Sequence, residues 1–186
     1  NDVTSYQQYL RAKALVRARS LAGLTDAVVL LEQVVAREPN YAPAWGLLAQ
    51  AYTLTPQYYE SGRAATIDET RRVVGASLPK AEAAARRAIE LDPNGADGYL
   101  SLGYAQLSGG KILLGEDLLR KALALDPNNP DALHFYSGLL ANAGRLKEAL
   151  AMRQRLQVLE PFVPIFVQNT ALIMWENGQS DAAFAL

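Results

Sequence analysis

Cysteine is absent from the 186 residues, which excludes disulfides, thiol nucleophiles and zinc sites built on thiolate. Histidine occurs once, as His134. A metal site or catalytic dyad would need partners beside it; only Asp131 lies within one helical turn, and no H-E-x-x-H motif exists. An excess of either charge is also missing, since 18 Lys and Arg stand against 19 Asp and Glu, so no global field attracts nucleic acid or an anionic membrane. No apolar run approaches the roughly 20 residues that span a bilayer, and no signal peptide is visible. There is no G-x-S-x-G elbow. Ser108-Gly109-Gly110-Lys111 lacks the spacing of a phosphate loop and reads as an inter-helix turn. The expectation is a fragment without catalytic residues, cofactor or metal, binding neither nucleic acid nor membrane and residing in the cytoplasm. The chain starts at Asn1 and stops at Leu186 within an expected helix, so it reads as a piece of a longer protein.

What is present is a period. Leu-Asp-Pro-Asn occurs at 91–94 and again at 125–128, and Leu-Glu-Pro-Phe at 159–162, so Pro93, Pro127 and Pro161 lie 34 residues apart. Gly110, Gly144 and Gly178 share that spacing. A small residue recurs twelve places before each proline, at Ala27, Ala81, Gly115 and Ala149, where two helices have to approach closely. Between the marks, apolar residues recur at three and four, as in Leu133, Tyr136, Leu140 and then Leu146, Ala149, Leu150, Leu156. Glycine falls where a helix needs a left-handed cap. Proline falls where the second helix stops. Asp-Pro-Asn supplies turn chemistry and an N-cap for the next helix. One unit is therefore helix, Gly turn, helix, Pro turn. A single pair cannot bury its faces alone, but stacked neighbours can.

These residues resemble the tetratricopeptide repeat. Trp45, Leu48, Ala49 and Tyr52 stand at that family's spacing, as do Tyr99, Leu102 and Gly103, and then Gly144, Ala149 and Pro161. The resemblance implies an all-α fold, a right-handed α-α superhelix (TPR solenoid) of about four and a half helix-turn-helix repeats. The repeats expected are 4–40, 41–95 with an insertion over 53–78, 96–129, 130–163 and a truncated 164–186, in a single domain over 1–186. Helices are expected over 4–20, 24–37, 41–54, 66–75, 79–91, 96–108, 111–125, 130–142, 145–159, 164–177 and 179–186. The opening, with its enlarged second unit, also resembles the repeat half of bacterial modular signalling proteins. Those carry an adenylate cyclase, kinase or winged-helix DNA-binding domain before the array, which implies a sensor or assembly module.

Pro39 and Pro93 are 54 residues apart, so one repeat carries 20 extra. The addition predicts a loop, a short helix opened by a Thr66–Glu69 capping box, and a normal second helix from about Leu78. Tyr58 and Tyr59 fall in that loop, where they pack down or line a groove. The scattered charges read as structural: Glu116 and Asp117 as first-turn acids, and Arg86 as the helical partner of Glu82 and Glu90. The basic run Arg11, Lys13, Arg17, Arg19 reads as a solvated face. His134 reads as a partly exposed helix residue.

The family resemblance further implies a concave groove made by first helices and filled by an extended peptide or a partner helix. By the family register its residues are Gln50, Thr53, Asp97, Leu100, Tyr104, Asp131, His134, Asn142, Gln168, Leu172 and Trp175, with Tyr58 and Tyr59 as insertion contacts. The Lys, Asn and Arg clamp of chaperone-binding members has no match at these positions. A protein or peptide segment with hydrophobic anchors is the partner class implied. The alternatives are self-association through an open C-terminal edge near Ala182 to Leu186, where Phe184 lacks cover, and a ligand-binding or enzyme-accessory role.

Overall fold

The structure, a computed structural model, describes residues 2–61 and 66–186. Every regular element among them is helical. In chain order these are α1 (Val3–Arg17), α2 (Leu21–Arg37), α3 (Ala42–Ser61), α4 (Ile67–Leu91), α5 (Ala96–Ser108), α6 (Ile112–Leu125), α7 (Pro130–Asn142), α8 (Leu146–Leu159), α9 (Pro164–Glu176) and α10 (Ser180–Phe184). They form successive antiparallel hairpins, in two compact units over Asn1–Leu118 and Leu119–Leu186. In the first unit α1 packs on α2, α2 on α3, α3 on α4 and also on α5, and α4 on α5. In the second α7 packs on α8, α8 on α9 and α9 on α10.

The repeated glycines do what their spacing predicts. Gly110, Gly144 and Gly178 have φ of 79°, 75° and 79°, the left-handed region that a Cβ disfavours. Each closes a first helix by the same pair of bonds. Gly110 N–H donates to the Leu107 carbonyl and Lys111 N–H to that of Gln106; Arg145 N–H likewise reaches Leu140, and Gln179 N–H reaches Met174. This is the Schellman arrangement, which satisfies carbonyls otherwise left over at a helix end. In the first hairpin Arg19 occupies the equivalent place with φ 50°, two residues before α2, which is why no glycine mark is found there.

The proline turns are built from side chain and backbone together. The Asp92 and Asp126 carboxylates accept the N–H of Asn94 at 3.0 Å and of Asn128 at 3.1 Å. The helix caps lie one residue further on than the motif suggests. Gly95 caps α5 without a side-chain bond, and the Asn129 side chain caps α7 through Ala132 N–H at 3.0 Å. The aromatic that follows each of the first two turns ties it down: Trp45 Nε1 donates to the Pro39 carbonyl at 2.9 Å, and Tyr99 Oη to that of Pro93 at 3.1 Å.

Small residues sit where helices cross. Ala27, Ala81 and Ala149 are fully buried, and a Cβ on Gly115 would lie 2.5 Å from Leu107. The second unit's apolar centre is Leu133, Leu156 and Phe166, with Leu123, Met152, Val163 and Ile165 packed against it.

The insertion differs from expectation. It is not a loop followed by a short helix. α3 runs on to Ser61 and α4 is continuous from Ile67, so both helices of one hairpin are lengthened. The Thr66–Glu69 capping box opens α4 as the sequence predicts. The two helices expected over 66–75 and 79–91 are one, and Pro79 lies within it. A proline ring presses on the carbonyl four residues earlier; here that residue is Gly75, an exposed position. Residues 62–65, part of the expected loop, lie outside the described residues. Glu116 and Asp117 fall beyond the first turn of α6, whose helix starts at Ile112, and Glu90 pairs with Arg87 at 3.1 Å while Arg86 pairs with Glu82. α10 is shorter than expected, ending at Phe184.

Candidate functional site

The first-helix positions singled out by the register divide between the two units. In the first, Gln50 and Thr53 lie on α3 and Asp97, Leu100 and Tyr104 on α5. Gln50 and Tyr104 are half-buried and Asp97 is exposed. Thr53 and Leu100 are buried completely, on two helices that pack directly on each other. They offer a ligand no surface. Tyr58 and Tyr59, expected in a loop, are on the last turns of α3 and half-buried. The lengthened α3 carries the same helix face onward, and Gln57 Nε2 donates to the Tyr104 hydroxyl on α5. Gln57 is a site residue that the register missed: it lies seven residues after Gln50, two turns along one face, but only once α3 is known to continue past 54.

Tyr9 on α1 lies within reach of the Asp97 charge. Tyr9 and Tyr41 meet edge to face with centroids 5.2 Å apart. Burial, then Tyr41, then the Asp97 charge push the Tyr9 hydroxyl up to about 12. A small hollow of about 100 Å³ lies between Gly46, Gly98, Asp92 and Asp97.

In the second unit Asn142 on α7 and Gln168, Leu172 and Trp175 on α9 are exposed. Leu172 keeps 49% and Trp175 58% of its surface in solvent. Asp131 and His134 are buried, which corrects the expectation of a partly exposed histidine. The reason is Arg153 on α8, an inward-pointing cation only 2% exposed. Its guanidinium donates to His134 Nδ1 at 2.8 Å and to the His134 carbonyl at 3.2 Å, while Nε has no partner. Since an arginine only donates, Nδ1 must accept and the ring proton sits on Nε2. The imidazole is packed against Phe166 of α9, centroids 4.9 Å apart, and against Phe135. Burial lowers the Arg153 pKa to about 10. This is a structural knot tying α7, α8 and α9, and sequence reasoning could not find it because Arg153 sits among exposed charges on α8.

Each unit also carries a furrow between two second helices and the first helix they flank. In the first unit it is lined by Val35, Trp45, Leu48 and Ala84 together with Tyr52, Glu32 and Lys80. Tyr52 donates to Glu32, Lys80 Nζ lies 3.8 Å from the same carboxylate, and burial, then the Glu32 bond, push the Tyr52 hydroxyl upward. In the second unit the same places are taken by Leu123, Leu133, Ala151 and Met152. Among the described residues no group of three or more acids and histidines gathers as a metal site, and no helix is long and apolar enough to cross a membrane.

A family model described as tetratricopeptide repeat matches residues 115–161. No curated protein matches the chain. Among solved structures it resembles TTC0263, a thermophilic tetratricopeptide-repeat protein of Thermus thermophilus, at 22% identity and a TM-score of 0.67, with 94% of this chain and 84% of that one covered. A chain of the APC/C hetero-tetramer Cut9–Hcn1 is similar at 17% identity and a TM-score of 0.64, covering 97% of this chain and 35% of that one. YrrB, described as a tetratricopeptide-repeat protein with an unusual peptide-binding site, is similar at 18% identity and a TM-score of 0.50, covering 92% and 77%. At these identities the likeness concerns the fold: helical hairpins of the tetratricopeptide-repeat kind.

Proposed function

We propose that the chain is a non-catalytic scaffold that holds a peptide or partner segment against the exposed faces of its first helices. The observation that carries this reading is the exposure of Leu172 and Trp175 on α9. Large apolar side chains left in water at such positions are the kind that anchor partners. In the first unit Gln50, Tyr104, Asp97 and the half-buried pair Tyr58 and Tyr59 form the corresponding face, and in the second Asn142 and Gln168 join the apolar pair. Thr53, Leu100, Asp131 and His134 support these faces from beneath. The peptide-binding site of YrrB and the assembly of Cut9 with Hcn1 are properties of those proteins that fit such a use. The finer reading, a regulatory or sensor module of a larger signalling protein carrying a cyclase, kinase or winged-helix domain, rests on the resemblance of the opening residues.

The test is a peptide selected from a displayed random library against the whole chain. Trp175→Ala and Leu172→Ala, each exposed and so tolerated by the fold, should weaken it by at least about tenfold. Unchanged affinity in both overturns the reading. A second reading, self-association, is favoured by Phe162 and Phe184, exposed at 93% and 86%. Sedimentation equilibrium over rising concentration tests it, and a monomer throughout removes it.

A further inference from the structure

Buried cations are ordinarily paired with carboxylates. Arg153 is instead buried against an imidazole. It is enclosed within the second unit, its bonds run to His134, and its Nε has no partner. Burial lowers its pKa only to about 10, so it is a cation at neutral pH. The bond to the His134 carbonyl, which also accepts from Ser137 Oγ at 2.9 Å, is indifferent to the state of the ring. The bond to Nδ1 is not. It needs the lone pair of that nitrogen. A proton placed there would set two N–H donors face to face and two positive charges side by side.

His134 is itself buried, and the rings of Phe166 on α9 and Phe135 pack against it, so solvent does little to screen that repulsion. The charged groups on the helices around it divide as follows. On α7, Asp131 lies one turn before His134 and is buried, and Tyr136 accepts from Arg120 of α6 at 2.8 Å. On α8, Lys147, Glu148 and Arg155 are exposed, with Glu148 held by Arg145 and Arg155 by Asn128. α9 carries only Glu176, exposed and ten residues beyond Phe166. The Asp131 carboxylate and the Phe166 ring favour a cation at His134. Arg153 opposes it, and Arg153 alone touches the nitrogen that would take the proton, so it sets the sign.

We infer that His134 is an acid-sensitive latch of the second unit: proton uptake at Nδ1 breaks its bond to Arg153 and releases α8 and α9 from α7. The closed unit holds the neutral ring, whereas an opened unit lets it protonate as a free imidazole does, below about pH 6.5. The open state therefore binds more protons. The latch is fully closed above about pH 6.5 and weakens as pH falls below that value. α9 is also the helix that bears the exposed Leu172 and Trp175, so acid loosens the segment carrying those side chains. The inference does not depend on their holding a partner.

The experiment uses the whole chain labelled with nitrogen-15. His134 is the only histidine, so the imidazole NMR signals have a single owner. From pH 7.5 to 5.5 the folded signals should stay those of the neutral ring protonated on Nε2. Over the same range amide exchange in α8 and α9, corrected for its intrinsic pH dependence, should rise about tenfold while α2 is unchanged. His134→Asn supplies a side-chain oxygen that accepts from Arg153 and does not titrate, so it should remove the rise. Asp131→Asn should leave the rise in place or enlarge it. A folded-state ring that titrates near pH 6.5 with exchange unchanged overturns the inference. So does an equal rise in His134→Asn, and so does loss of the rise in Asp131→Asn, which would assign the effect to the carboxylate. If His134→Asn does not fold, the ring signals of the unaltered chain decide the matter.

Discussion

At the scale of single residues, backbone geometry and buried charge decide the outcomes. Arg19 sits at φ 50° where later hairpins have glycine, and a left-handed L-residue costs roughly 1–2 kcal/mol. Arg19→Gly should therefore raise stability by about 0.5–1 kcal/mol, and Gly144→Ala should lower it by about 1 kcal/mol; urea unfolding followed by circular dichroism measures both. Removing the imidazole from beneath Arg153 leaves a buried guanidinium without its main acceptor. His134→Ala should cost about 3 kcal/mol, well above an ordinary surface substitution, seen in the same urea titration. Tyr9 gives a pH prediction. Its folded pKa is raised to about 12, so the unfolded chain releases the proton first. Its contribution is intact below about pH 10, the unfolded value, and is lost as pH rises through the folded one. Between about pH 9 and 11 the native chain should lose about 1 kcal/mol more than Tyr9→Phe does. Equal losses would show that Tyr9 is not the titrating group.

At the scale of elements, the extended hairpin is the chief departure from the repeat. α4 carries Pro79 inside it, so the Gly75 carbonyl has no N–H to accept from that position. Pro79 is exposed, and little packing depends on it. Pro79→Ala should therefore stabilise the chain by about 1–3 kcal/mol, raising the urea midpoint; a lowered midpoint would mean that the proline shapes the hairpin in a way α4 requires. The sequence made the 20 extra residues plain by counting between prolines, and it identified the Thr66 cap. It did not reveal that α3 runs on to Ser61 and that α4 is unbroken from Ile67, because proline inside a helical pattern is a boundary signal locally and becomes tolerable only when the helix packs on its partner over its length. Gln57 stayed hidden for the same reason, whereas the Schellman glycines were legible because left-handed geometry has a direct residue signature.

At the scale of the whole molecule, protection should follow burial. Leu24, Leu31 and Leu54 in the first unit and Leu140, Leu156 and Phe166 in the second are fully enclosed. α10 has five residues and none is buried. Amide exchange should be slowest through α2 and α8 and fastest in α10; protection of α10 equal to α8 would contradict this and favour a partner or second copy covering Phe184. The period of 34 residues in the sequence determined that helices alternate in hairpins, where they turn, and which small residues lie at their crossings. These are consequences of local backbone preference and helical periodicity, which each stretch of chain expresses by itself. The tertiary structure decided which groove-register residues reach solvent, turning Leu100, Thr53, Asp131 and His134 inward and leaving Leu172 and Trp175 outside. Exposure depends on what a neighbouring helix covers, and that is set by packing between segments far apart in the chain.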